Sequence, residues 1–84
     1  MTILHIAGRR SAILDYLRDG PLDKRDLLDR VDASRSTIDR AITELIDHEM
    51  VREVSGGYET TLVGVLALER SREFGRDADA IATA

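Results

Sequence analysis

The segment ASRSTIDRAITELIDHEMV, residues 33–51, decides the fold of this chain of 84 residues. At about 100° per residue, its apolar side chains occupy an arc of about 140° on one side of a helix. They are Ile38, Ala41, Ile42, Leu45 and Ile46. Ser34 stands where an N-cap is needed. The pattern predicts an amphipathic helix over residues 35–48 and a change of period at Met50.

Two shorter helices are predicted upstream of this segment. The first has an apolar stripe of Ile13, Leu14 and Leu17. It ends at Gly20, which tolerates a left-handed closing conformation, and at Pro21, which cannot continue a helix. Asp23 is a suitable N-cap for the second helix, which ends near Val31. Residues 3–7 form a leading turn or a short helix.

Downstream of this segment, the helical spacing of apolar residues gives way to the pattern of short β-strands. Residues 50–54 and 58–61 are β-like runs joined by Ser55-Gly56-Gly57, which predicts a hairpin. A last helix follows over residues 62–74, and residues 75–84 are expected to form a flexible tail. The order predicts a mainly α fold with a small β-hairpin over residues 1–74. It is that of a winged helix-turn-helix, with a three-helix core, a two-stranded wing and a C-terminal helix.

Composition narrows the class of protein. Eleven arginines and Lys24 face sixteen acidic residues, ten of them aspartates, and the formal net charge is −4. Short carboxylates hold water and ions without a long apolar stem, so this surface suits molar salt. The acidic balance argues against an unspecific nucleic-acid coat, although a few arginines on one face remain compatible with DNA reading.

Catalytic and metal chemistry find no support in the residues. Cysteine is absent, and His5 and His48 are too few for a histidine-rich metal site. No phosphate-binding glycine loop occurs, and we expect neither enzyme activity, nor a cofactor, nor a small-molecule ligand. The longest apolar run, residues 62–68, is far shorter than the ~20 residues of a membrane span. We therefore expect a cytoplasmic protein.

Residues 9–68 resemble the DNA-binding domain of archaeal winged-helix transcriptional regulators related to the MarR and ArsR families. The matching motifs are LRDGPLDKRDLLDRV (17–31), ASRSTIDRAITELIDHEMV (33–51) and GGYETTLVG (56–64). The aspartate-rich, lysine-poor composition resembles halophilic members of that group. The resemblance implies sequence-specific binding of double-stranded DNA in transcription regulation.

The start of the helix over residues 35–48 is the candidate reading head for the major groove. Ser34, Ser36 and Thr37 supply short hydroxyls for phosphate oxygens, beside the orphan amides of the helix N-terminus. Arg40 shares the outward face with Ser36 and suits bidentate contact with guanine. Arg35 suits a flanking phosphate or a neighbouring base. The plainer interpretation is that Ser34 is only a cap and that Arg40 pairs with Asp39 or Glu44.

Other candidate contacts lie on the same outward face and in the hairpin. Thr43 shares the outward face of the helix, and Arg52, Gly56 and Gly57 form the candidate wing on the flanking backbone or minor groove. The glycines have an equally simple explanation as turn residues. Lys24 and Arg25 are balanced by neighbouring aspartates, so a solvated face is the favoured interpretation for them.

The chain carries more apolar surface than one small core needs, which favours a homodimer. The predicted interface residues are Ile3, Leu4, Ile6, Leu62, Val65 and Leu66. In the family that the chain resembles, the first and last helices commonly build a two-fold interface. These residues alternatively pack the monomer's own core. At the level of function, the alternative to a DNA-binding regulator is a winged-helix module that binds another protein without DNA specificity.

Overall fold

A computed structural model describes the backbone of residues 3–83 and the side chains of residues 3–73. The elements follow in the order α1 (Ile3–Arg9), α2 (Ser11–Arg18), α3 (Lys24–Arg30), α4 (Arg35–Asp47), β1 (Val51–Val54), β2 (Gly57–Thr60) and α5 (Leu62–Thr83). The predicted fold class is confirmed. The chain is mainly helical, with a two-stranded antiparallel hairpin followed by a C-terminal helix, an arrangement consistent with a winged helix.

The two ends of the chain differ from the predicted boundaries. The leading segment is a true helix, α1, separated from α2 only by Arg10. Helix α5 was expected to end near residue 74 but continues to Thr83. Residues 75–83 contain three alanines and no proline, and one glycine costs only about 1 kcal/mol in a helix interior. The expected flexibility of residues 75–84 lies outside the described side chains and stays a prediction.

One apolar core joins the described helices to the base of the hairpin. Helix α1 packs against α5, and α3 packs against α4. The buried side chains are Ile6, Ala7, Ile13, Leu14, Leu17, Leu27, Ile38, Ala41, Ile42, Leu45, Met50, Val51, Ala67 and Leu68. The predicted stripe of α4 is confirmed except for Ile46, whose side chain is 37% exposed at the edge of the core. Burial of this stripe fixes which side of α4 faces outward.

The turn between α2 and α3 holds the hairpin from the side. Leu22 N donates to Tyr58 O at 3.0 Å, and Tyr58 N donates to Leu22 O at 2.8 Å. Asp23 then begins α3 as predicted, in a capping box with Asp26. The hairpin is thereby fixed beside the start of α3.

The junction between α4 and the hairpin is closed by the start of α5. Thr61 Oγ1 donates to Glu49 O at 2.6 Å and accepts from Gly64 N at 3.1 Å, so Thr61 caps the start of α5. Thr61 N also donates to Met50 O at 3.0 Å. A Cβ at Gly64 would lie 2.2 Å from Met50 O, so only glycine permits this approach. The end of α4 and the start of α5 are therefore held directly against each other, in a contact called here the joint at Thr61.

Candidate nucleic-acid interface

Hydroxyl groups cluster at the first turn of α4. Ser34 has extended backbone angles, and its Oγ accepts from Thr37 N at 3.2 Å, the geometry of an N-cap. Ser34 Oγ also donates to Thr37 Oγ1 at 2.9 Å and lies 3.2 Å from Ser36 Oγ. Ser34 is therefore a structural cap, and the three predicted hydroxyls lie together at a partly positive helix terminus.

Four arginines of the described part of the chain make no ion pair. The other described arginines, and Lys24, all contact a carboxylate. The unpaired residues are Arg25, Arg30, Arg35 and Arg40, and each is exposed. All four lie on α3 or α4, so the arginines of residues 3–73 that lack a carboxylate partner are confined to these two helices.

Two of the three acidic residues on α4 are held by cations from other elements. Lys24 Nζ lies 3.0 Å from Asp39 Oδ1, an ion pair between α3 and α4. Arg9 Nη2 lies 2.7 Å from Glu44 Oε2, and Arg10 Nε lies 3.2 Å from Glu44 Oε1. These contacts neutralise much of the acidity of α4.

These contacts also shift the pKa values of Glu44 and Lys24. Partial burial alone would raise the pKa of Glu44, but hydrogen bonds and attraction from Arg9 and Arg10 outweigh it and hold that pKa below its ordinary value. The Asp39 carboxylate raises the pKa of Lys24, despite some desolvation of the ammonium group. Glu44 and Lys24 therefore both stay charged in neutral solution.

Thr43 uses its hydroxyl inside its own helix. Thr43 Oγ1 donates to Asp39 O at 3.0 Å, although the residue is exposed on the predicted outward face. Its hydroxyl hydrogen is thus already engaged, and only oxygen lone pairs and the methyl group are free to face a ligand.

The hairpin places its arginine against a carboxylate. Arg52 Nε donates to Glu59 Oε1 at 2.6 Å across the two strands, where these residues are direct partners. Gly56 and Gly57 have φ of 91° and 149°, which accounts for the glycines as turn residues. The sequence did not predict the Arg52–Glu59 pair, which any contact of Arg52 with DNA has to break.

The predicted interface residues divide between surface and core. Leu62 is 73% exposed, Leu66 53%, Ile3 42% and Leu4 37%, and Val65 is half-buried. Ile6 corrects the prediction, because it is only 2% exposed and belongs to the core against α5. Val63 is also exposed. The exposed apolar side chains at the start of α5 (Leu62, Val63 and Leu66) and at the start of α1 (Ile3 and Leu4) are together called the α1–α5 patch.

Arg30 is the residue that sequence reasoning missed, and Arg25 is one that it assigned to a solvated face. Each has an aspartate within four positions, so local sequence suggests neutralisation. Only the spatial arrangement of ion pairs identifies them as free. In residues 3–73, no group of three histidine or acidic side chains is placed to hold a metal ion. The described helices include none long and apolar enough to cross a membrane.

Comparison with known proteins gives one result. No curated protein and no solved structure matches this chain. A family model described as the HVO_A0261 N-terminal domain matches residues 1–82, nearly the whole sequence. The chain therefore belongs to the HVO_A0261 N-terminal domain family.

Proposed function

We propose that this chain is a sequence-specific DNA-binding transcriptional regulator that acts as a homodimer. The observation that carries the proposal is the confinement of unpaired arginines to α3 and α4. The chain is acidic, yet every arginine of residues 3–73 that lacks a carboxylate partner lies on these two neighbouring helices. A phosphate backbone is the polyanion that such a unit is shaped to meet.

In this proposal α4 enters the major groove. Its first turn carries the hydroxyls of Ser34, Ser36 and Thr37 beside the helix terminus, which supports phosphate contact. Arg40 reads a guanine edge, and Arg35 contacts a base or a flanking phosphate. Arg25 and Arg30 on α3 contact the backbone of the same groove.

The hairpin contributes less in this proposal than the sequence alone implied. Arg52 is engaged by Glu59, so its contact with phosphate exchanges one ion pair for another. Backbone amides at Gly56 and Gly57 contact the flanking DNA backbone or the minor groove. The wing therefore helps to orient the protein on the duplex and does not read bases.

Two-fold association through the α1–α5 patch completes the proposal. Leu62, Val63 and Leu66 lie within one turn of α5 and are exposed, as are Ile3 and Leu4 on the neighbouring α1. Covering this apolar surface with a second copy would present two α4 helices to one duplex.

A random-duplex selection tests the proposal. The parent chain is compared with the Arg35→Ala/Arg40→Ala double variant at low and at molar potassium chloride. Arg18→Ala/Arg70→Ala is the matched control, because it removes the same charge from arginines that already pair with carboxylates on α2 and α5. We expect a palindromic motif from the parent and the control, and its loss in the Arg35/Arg40 variant.

Two results would contradict this function. Recovery of no motif at either salt concentration would favour the protein-binding module, for which the net charge of −4 is the supporting observation. Recovery of the same motif by the Arg35/Arg40 variant would remove α4 as the reading head.

A further inference from the structure

Each arginine of α4 is followed four residues later by an acidic residue. Arg35 precedes Asp39, and Arg40 precedes Glu44. Residues four apart lie side by side on a helix surface and commonly form ion pairs. The sequence of α4 therefore contains two local partners able to neutralise the two arginines that the proposed function needs free.

Neither local pair forms. Asp39 faces Lys24 of α3, and Glu44 faces Arg9 and Arg10 at the α1–α2 junction. Both reading arginines are left without a carboxylate partner. The cations that hold the acids lie 15 to 35 positions away in the sequence, as Lys24–Asp39 and Arg9–Glu44 show.

The distant partners hold Glu44 through two cations at once. Glu44 receives both Nη2 of Arg9 and Nε of Arg10, and the Arg10 side chain is only 16% exposed. Charge-assisted contacts in such partly dry surroundings are stronger than those on an open surface. A local pair would also run from base to acid along the helix, which is the less favourable order.

We infer that Lys24, Arg9 and Arg10 are positioning residues that keep Arg35 and Arg40 unpaired by engaging Asp39 and Glu44. This inference rests on the proposed function, because an unpaired arginine is useful only where an anionic partner is to be read. It assigns a binding role to residues that need not touch the nucleic acid. Without its positioning cation, Asp39 would pair with Arg35, and Glu44 with Arg40. A duplex would then have to displace the carboxylate before it could contact the arginine.

Variants of the Lys24–Asp39 pair, the first arm of the test, show whether Lys24 acts through Asp39 or contacts the duplex itself. Three variants are compared on the duplex recovered by the selection: Lys24→Gln, Asp39→Asn and their combination. We expect Lys24→Gln to weaken binding about tenfold, a factor typical of one lost charge-assisted contact. In the Asp39→Asn background the same change should cost less than about twofold. Lys24→Arg, which keeps a cation beside Asp39, should bind like the parent.

An equal penalty for Lys24→Gln in both backgrounds would overturn the inference, because it would show that Lys24 contacts phosphate itself. The doubly substituted chain has the same net charge as the parent. Its recovery therefore cannot be attributed to a general change in charge.

Nuclear magnetic resonance of the Arg35 side chain tests the same arm without DNA. We expect the Nε–H proton of Arg35 to exchange rapidly with water in the parent and about threefold more slowly in Lys24→Gln, where Asp39 becomes its acceptor. Exchange should be rapid again in Lys24→Gln/Asp39→Asn. Unchanged exchange in Lys24→Gln would refute the positioning role. Slowed exchange in a chain that selects no motif would refute the proposed function alone.

The contacts of Glu44 with Arg9 and Arg10, the second arm, allow the same exchange measurement on Arg40. Arg9→Gln/Arg10→Gln should slow exchange at Arg40, and adding Glu44→Gln should reverse that effect. Unchanged exchange at Arg40 in the variant that retains Glu44 would overturn the inference for this arm.

Discussion

Gly56 and Gly57 are adjacent in the hairpin turn, but they differ in what surrounds them. Both have positive φ, at 91° and 149°. A Cβ at Gly56 would meet open space, whereas a Cβ at Gly57 would lie 2.4 Å from Leu22 O and 2.8 Å from Asp23 N. Gly57 is thus required for two reasons, its backbone angles and the close passage of the α2–α3 turn.

We expect Gly57→Ala to destabilise the chain by about 2–3 kcal/mol and Gly56→Ala by about 1 kcal/mol, because only the former adds a backbone clash to the strain. Thermal unfolding of the two variants beside the parent measures the difference. Equal melting temperatures for the two variants would contradict the close approach of Leu22 to the hairpin.

At the scale of elements, Glu44 links α4 to the α1–α2 junction. Its pKa is lowered in the folded chain from the ordinary 4.5, since attraction from Arg9 and Arg10 exceeds the effect of partial burial. A carboxyl whose folded pKa is depressed contributes stability above its unfolded pKa. That stability is lost as pH falls through the folded value.

Glu44→Gln should therefore cost about 1 kcal/mol in neutral solution, a value discounted for the partly exposed setting of the pair. The difference between parent and variant should shrink as pH falls below 4.5, the ordinary value, towards the lower folded value. Denaturant unfolding at a series of pH values measures this difference. A difference that stays constant down to acid pH would show that Glu44 acts through packing and not through charge.

The elements themselves were predictable because their signals are local. The α4 stripe, the Asp23 and Ser34 caps and the glycine turn each depend on residues within a few positions of one another. The Leu22–Tyr58 bridge and the ion pairs of Arg9, Arg10 and Lys24 were not predictable, because their partners are distant in sequence. The same limit explains Ile6, whose apolar character fits a core and an interface equally well.

On the scale of the whole molecule, the unpaired arginines set a limit on the salt dependence of the proposed DNA binding. In the proposed homodimer, the four unpaired arginines of residues 3–73 in each of the two protomers neutralise at most eight phosphates, which corresponds to a slope of about −7.2 in log K against log salt. We expect a slope no steeper than this, with motif preference retained in molar salt. Titrations of the selected duplex across potassium chloride concentrations measure it. A steeper slope would mean that paired cations such as Arg52 leave their carboxylates.

The α1–α5 patch makes a separate prediction about assembly. Leu62→Gln/Leu66→Gln should convert a dimer into a monomer with little loss of stability, because these side chains are 73% and 53% exposed in one chain. Tyr16→Gln/Ile46→Gln is the control, since both residues are 37% exposed outside the patch. Sedimentation equilibrium measures the mass. A monomeric parent would exclude this dimer.

The joint at Thr61 has a consequence for the length of the hairpin. Thr61 N donates to Met50 O, so the ten residues 51–60 leave and rejoin the helical body at nearly the same point. Residues added at the tip, beyond the Leu22–Tyr58 bridge, would not alter the distance between α4 and α5. Each doubling of such a loop costs only about 0.6 kcal/mol in closure entropy. Gly57 has to stay, because the α2–α3 turn passes against it, but the turn at residues 55–56 can be lengthened while the helical scaffold keeps its shape.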